Sequence, residues 1–149
     1  MNDYPKTLRA GDHLRLAEDF YLAFCELPRR TPPQSWPRYF LLCHAIELAL
    51  KAYLAHHGAA RKELTAKNVR HGLTKLLKRA TNKGLSLSAS AQKDIGLLNE
   101  AHEKFWHRYP KEVGKPVPTI DQLQPAAREL LDAVTAALYG GNCRPPVHP

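Results

Sequence analysis

The segment from Trp36 to His57 is apolar on almost every side, and a helix of that kind fits only at the centre of a bundle, where neighbours cover it all round. Its longest strongly apolar run, Tyr39 to Leu54, is interrupted by His44, Glu47 and Lys51. The run is also shorter than the roughly 20 residues that a bilayer crossing requires, so no transmembrane helix is expected. At about 100° per residue the three interruptions share an arc of about 60°, one polar stripe on an otherwise greasy rod. Burying any of them unpaired is costly. The stripe must therefore meet solvent, a partner chain or polar groups on a neighbouring helix, and Glu47 and Lys51, four residues apart, can pair with each other. A solvated stripe with a weak surface pair and a functional groove are both open at this point.

The rest of the chain reads in the same period. Apolar residues recur at spacings of three and four, strict alternation is absent, and the fold class expected is all-α, an antiparallel up-and-down bundle of about five helices. The first helix spans about Gly11 to Leu27 and is broken by the Pro32-Pro33 stretch. The second follows Ser35 as N-cap, with Pro37 tolerated in its first turn, and ends at Gly58. A third, about Val69 to Asn82, turns Leu73, Leu76, Leu77 and Ala80 inward. A fourth opens at Ser88 or Ser90, carries Ile95, Leu98 and His102, and ends at Pro110. The last runs from Thr119, whose spacing to Gln122 fits a capping box, to about Tyr139. At 149 residues the chain is expected to form one domain, 1–149, with residues 140–149 as a frayed tail.

Charge points to polyanionic partners. The formal net charge is +8 with a pI near 9.6. Most of the excess is local: Arg61, Lys62, Lys67, Arg70, Lys75, Lys78, Arg79 and Lys83 face one acid, Glu63, between positions 61 and 83. These eight form the candidate nucleic-acid patch. Trp36, Trp106 and a few tyrosines are the available stacking platforms, so base-specific recognition is not expected. The N-terminal residues contain no apolar signal core, and Cys25, Cys43 and Cys143 have no Cys-x-x-Cys spacing. A cytoplasmic protein with reduced thiols is expected.

Several chemistries fail on spacing. His102-Glu103 would need a second histidine at position 106 for a zincin helix, and Trp106 stands there. A di-iron bundle needs two Glu-x-x-His helices, whereas His44-x-x-Glu47 has the reverse order. No phosphate-binding glycine loop or nucleophile elbow is present. No metal and no cofactor are expected. The polar groups worth following are Glu47, Lys51 and His44 on the central helix, His71 at the start of the third, and Arg108-Tyr109 at the end of the fourth. His102, on an apolar stripe, reads as a hydrogen-bonded core histidine.

The runs WPRYFLLCHAIELALKAYLAHHG, RHGLTKLLKRA and LNEAHEKFWHRYP together resemble the bacterial branch of the HEPN domains, the "higher eukaryotes and prokaryotes nucleotide-binding" helical proteins, over about residues 35–110. The resemblance implies a helical bundle that dimerises, and an RNA-associated role. Active members of the family are metal-independent RNases of toxin–antitoxin and antiphage systems; others are non-catalytic RNA-binding or nucleotidyltransferase-associated modules. The family signature, an arginine followed after four to six residues by a histidine, falls on Arg38 and His44, which makes them the implied catalytic pair. On a straight helix these two point about 120° apart, so a homodimer would bring Arg38 of one chain towards His44 of the other. The partners implied are a second copy of the chain, RNA or a nucleotide, and an antitoxin or nucleotidyltransferase.

Overall fold

The three-to-four periodicity resolves into six helices and no strand among the residues described by this computed structural model, which are 9–28, 35–67, 69, 71–103 and 118–140. They are α1 (Ala10–Glu26), α2 (Trp36–His56), α3 (Arg61–Thr65), α4 (Leu73–Asn82), α5 (Ala89–Glu103) and α6 (Ile120–Tyr139). The architecture is an all-α bundle. None of these helices is long and apolar enough to cross a membrane.

Helix ends follow local chemistry. Ser35 occupies the N-cap of α2 in an extended conformation, although its side chain makes no capping bond, and Pro37 sits in the first turn where its missing N–H is harmless. Of the two serines that could open α5, Ser88 does so: its Oγ accepts from Ala91 N–H at 3.1 Å and donates to Glu129 Oε2 of α6 at 2.9 Å. At α6 the capping box closes, with Gln122 N–H on Thr119 Oγ1 and Thr119 N–H on Gln122 Oε1. Gly58 and Gly84, with φ of 90° and 100°, let the chain leave α2 and α4 while Ala59 N–H and Leu85 N–H return to Leu54 and Ala80 carbonyls.

Two boundaries differ from expectation. The basic connector contains the extra helix α3. The next helix starts at Leu73 instead of Val69, because two turns precede it, closed by Val69 N–H on the Ala66 carbonyl and Gly72 N–H on the Val69 carbonyl. Glycine at position 72 is a poor helix former, and it leaves His71 on a turn and off the helix. The part of the fourth expected helix beyond Glu103, and the expected tail beyond position 140, lie outside the described residues.

Helix α2 is the hub, packed against α1, α4, α5 and α6. Every residue from Ala45 to Leu54 is buried. Leu42, Ile46 and Leu50 are among the fully buried side chains, each worth roughly 1.5–3 kcal/mol relative to exposure. Helix α1 runs antiparallel to α2: Phe24 meets Arg38 and Phe20 meets His44, so the numbering falls along one helix as it rises along the other. The connector carries the chain back along α2, so that His71 lies beside Glu47 while the far end of α4 lies beside Tyr53, whose hydroxyl donates to the Lys83 carbonyl at 3.1 Å. This return path builds the site.

Candidate functional site

Glu47 is the centre. It projects from the middle of α2, one turn before Lys51, and only 2% of its surface is exposed. Lys51 Nζ donates to its Oε1 at 2.5 Å. Two histidines from other elements reach its second oxygen: His102 Nε2 at 2.5 Å from the last turn of α5, and His71 Nδ1 at 3.2 Å from the turn ahead of α4. Of the three outlets open to the polar stripe, Glu47 and Lys51 take the third, polar groups on neighbouring elements, and their pair is buried.

Local packing holds this arrangement. His102 follows Ile95 and Leu98 on the stripe that α5 turns into the core, and it is itself 2% exposed. Thr74 N–H, in the first turn of α4, donates to Asn99 Oδ1 of α5 at 3.1 Å, which ties the two elements together beside the histidines. The His71 and His102 rings stand nearly perpendicular, at 79°, with centroids 6.1 Å apart. The His71 side chain is 31% exposed, so it is the member of the cluster open to solvent.

Burial by itself would raise the Glu47 carboxyl, but the hydrogen bond from His102 and the charge of Lys51 prevail and hold it down at about 2. Glu47 is therefore an ionised, acceptor-only group at neutral pH. Both histidines must donate to it, which places a proton on His71 Nδ1 and on His102 Nε2. In a neutral His71 the basic nitrogen is then Nε2, the same tautomer control that a carboxylate exerts on a catalytic imidazole.

Arg38 and His44 do other work in the described structure. The Arg38 guanidinium lies 4.4 Å from the centre of the Phe24 ring and is buried. His44 packs edge-on to Phe20 and stacks on Phe40, at centroid separations of 4.4 and 5.5 Å. Burial lowers its basicity, against the opposing pull of Glu47. The two residues thus engage different rings, and the structure does not bring them together within one chain.

Compared with protein-family models, with curated proteins and with solved structures, the chain matches none.

The basic patch is exposed at Arg61, Lys62, Lys67, Lys75, Lys78, Arg79 and Lys83. Arg79 and Lys83, with His57 and Glu63, also border a cavity of about 460 Å³ between the end of α2, α3 and α4. Arg70, Arg108 and Tyr109 lie outside the described residues. The burial of Cys43 raises its thiol pKa, with Glu47 adding to the effect, so it is a packing residue; Cys25 is exposed. Sequence reasoning did not place His102 in the site. The usable signal was a histidine on the core stripe of one helix and a carboxylate on the core face of another, each needing a polar partner.

Proposed function

We propose that this chain is an RNA-associated helical module of the HEPN-like type, in which His71, oriented by Glu47, is the general base for metal-independent cleavage of an RNA phosphodiester. The single observation that carries this reading is the Glu47–His71 contact: a buried, ionised carboxylate sets the tautomer of a half-exposed imidazole at the edge of a basic surface. Nε2 of His71 takes the ribose 2′-OH proton, the 2′ oxygen attacks phosphorus to close the 2′,3′-cyclic phosphate, and the 5′ oxygen leaves as a hydroxyl, taking its proton from solvent water. Lys75, four residues on in the first turn of α4, supplies positive charge for the phosphorane, and the remaining exposed cations hold flanking phosphates. His71 takes this role ahead of His44, because His44 is packed between two phenylalanines.

A second reading has its own observation. The Arg38–Phe24 and His44–Phe20 contacts put both members of the implied catalytic pair into packing, which favours a catalytically silent scaffold or a substrate-binding partner of a nucleotidyltransferase. Homodimerisation and an antitoxin partner belong to the HEPN-like reading and rest on the sequence resemblance, whereas a cytoplasmic setting rests on the cysteine pattern.

The test is incubation of the full chain with end-labelled single-stranded and hairpin RNA in a chelator, alongside binding titrations against salt. Cleavage leaving 2′,3′-cyclic ends is expected, falling roughly 10²–10⁴-fold in H71A. H71A is expected to bind RNA as the parent does. K75E/K78E is expected to weaken binding and flatten the salt dependence by about 1.4 in log–log slope. Salt-dependent binding without cleavage selects the silent module; no binding at any salt overturns the RNA reading.

A further inference from the structure

We infer that Glu47, His71 and His102 form a binding site for one divalent transition-metal ion of the zinc class. One donor atom from each lies within 4.8 Å of the other two, and the set of two imidazoles and a carboxylate is one that zinc accepts while keeping a fourth position open. Spacing motifs cannot show this site, because its ligands come from α2, the turn before α4, and α5.

One donor pair already has the spacing that an ion needs. With metal–ligand bonds of about 2.0–2.1 Å, donors at the corners of a tetrahedron are roughly 3.3 Å apart. Glu47 Oε2 and His71 Nδ1 are already 3.2 Å apart. Glu47 Oε2 and His102 Nε2, at 2.5 Å, are at hydrogen-bond distance and must open by about 0.8 Å to reach that spacing. His71 sits on a turn and His102 in the last turn of α5, so the histidine side of the adjustment falls at the ends of elements and not in mid-helix. Each imidazole moves its proton to its other ring nitrogen, so loading a neutral histidine needs no net loss of a proton. The perpendicular rings avoid stacking around the ion, and the solvent-open side of His71 is the route in.

Lys51 defines the rest of the coordination. It occupies Oε1, which leaves Oε2 for the metal and makes the ammonium a neighbour of the site without being a ligand. Glu47 and Lys51 cancel in charge, so the ion brings a net +2 into a buried place. The open fourth position therefore favours an anionic oxygen, hydroxide or a phosphate oxygen, over a neutral ligand. Loading the ion replaces the Glu47–His71 hydrogen bond, so the metal-bound and metal-free clusters are alternative states of the same residues. The inference stands apart from the RNA reading, and its test uses metal alone.

The experiment is titration of the chelator-stripped full chain with Co²⁺, read by visible absorption, and with Zn²⁺, read by calorimetry. One ion per chain with the intense absorption of tetrahedral cobalt is expected. H71A and E47Q, each verified as folded by circular dichroism, are expected to lose at least roughly 100-fold in affinity. K51M, which removes the neighbouring cation and keeps the side-chain volume, is expected to bind more tightly than the parent. H56A/H57A is expected to bind unchanged; it removes an exposed pair whose rings lie 5.3 Å apart. Absence of binding in the parent, parental affinity in H71A, or loss in H56A/H57A overturns the inference.

Discussion

His102 and Glu47, 55 residues apart in the chain, meet in the core at 2.5 Å, and through that contact α5 is locked to α2 around a buried charge. The contact belongs to a buried network: Lys51 neutralises the carboxylate, and His71 extends the cluster to the surface. Removing one partner of such a network leaves an uncompensated charge, and that dominates the mutational outcomes.

Stability is expected to depend on acid through Glu47. Its folded-state pKa, about 2, lies below the ordinary 4.5. The contribution is therefore fully present above pH 4.5 and is lost as the pH falls towards 2; it amounts to about 3 kcal/mol. Urea unfolding of the parent between pH 6 and pH 3 is expected to show a falling midpoint, and E47Q, which cannot ionise, a flatter one over the same window. Parallel curves would show that the carboxylate is not held in this way.

The two histidines are expected to separate in stability. H102A removes a buried donor to a charged acceptor and opens a void, at about 3 kcal/mol, whereas H71A, on a turn and half exposed, costs about 1 kcal/mol or less. Urea midpoints at neutral pH measure both. Equal losses would mean that His71 is as much a structural residue as His102.

Arg38 is expected to act through its stack on Phe24. R38A costs about 1–2 kcal/mol through lost cation–π attraction and lost packing of its stem. R38K recovers only part of this, because an ammonium does not stack as a guanidinium does. A double-mutant cycle with F24L is expected to show a coupling of about 0.5 kcal/mol or more; additivity would remove the stack from the account.

Glycine replacements are expected to differ in sign. At Gly58 and Gly84 an added Cβ meets nothing closer than 3.6 Å, so the penalty of G58A and G84A comes from positive φ alone, at about 1 kcal/mol each. Gly96, inside α5 with open space around it, is expected to stabilise by about 0.5–1 kcal/mol when changed to alanine. Thermal unfolding of the three variants measures this directly.

The sequence by itself determined what local physics controls. The apolar period specified helices, Thr119 and Gly58 marked two of their ends and Ser88 or Ser90 a third, and the almost wholly apolar surround of α2 placed it at the centre. His44, Glu47 and Lys51, which interrupt its apolar run, were legible as a problem needing a solution. Which solution is used could not be read there. Whether Glu47 meets water, another chain or a histidine depends on where the connector after Gly58 carries the chain and how α5 rotates against α2. Those choices are made by packing over tens of residues, whereas capping and periodicity act over four. Only the tertiary structure therefore brought His71 and His102 to one carboxylate, and separated Arg38 and His44 onto different rings of α1.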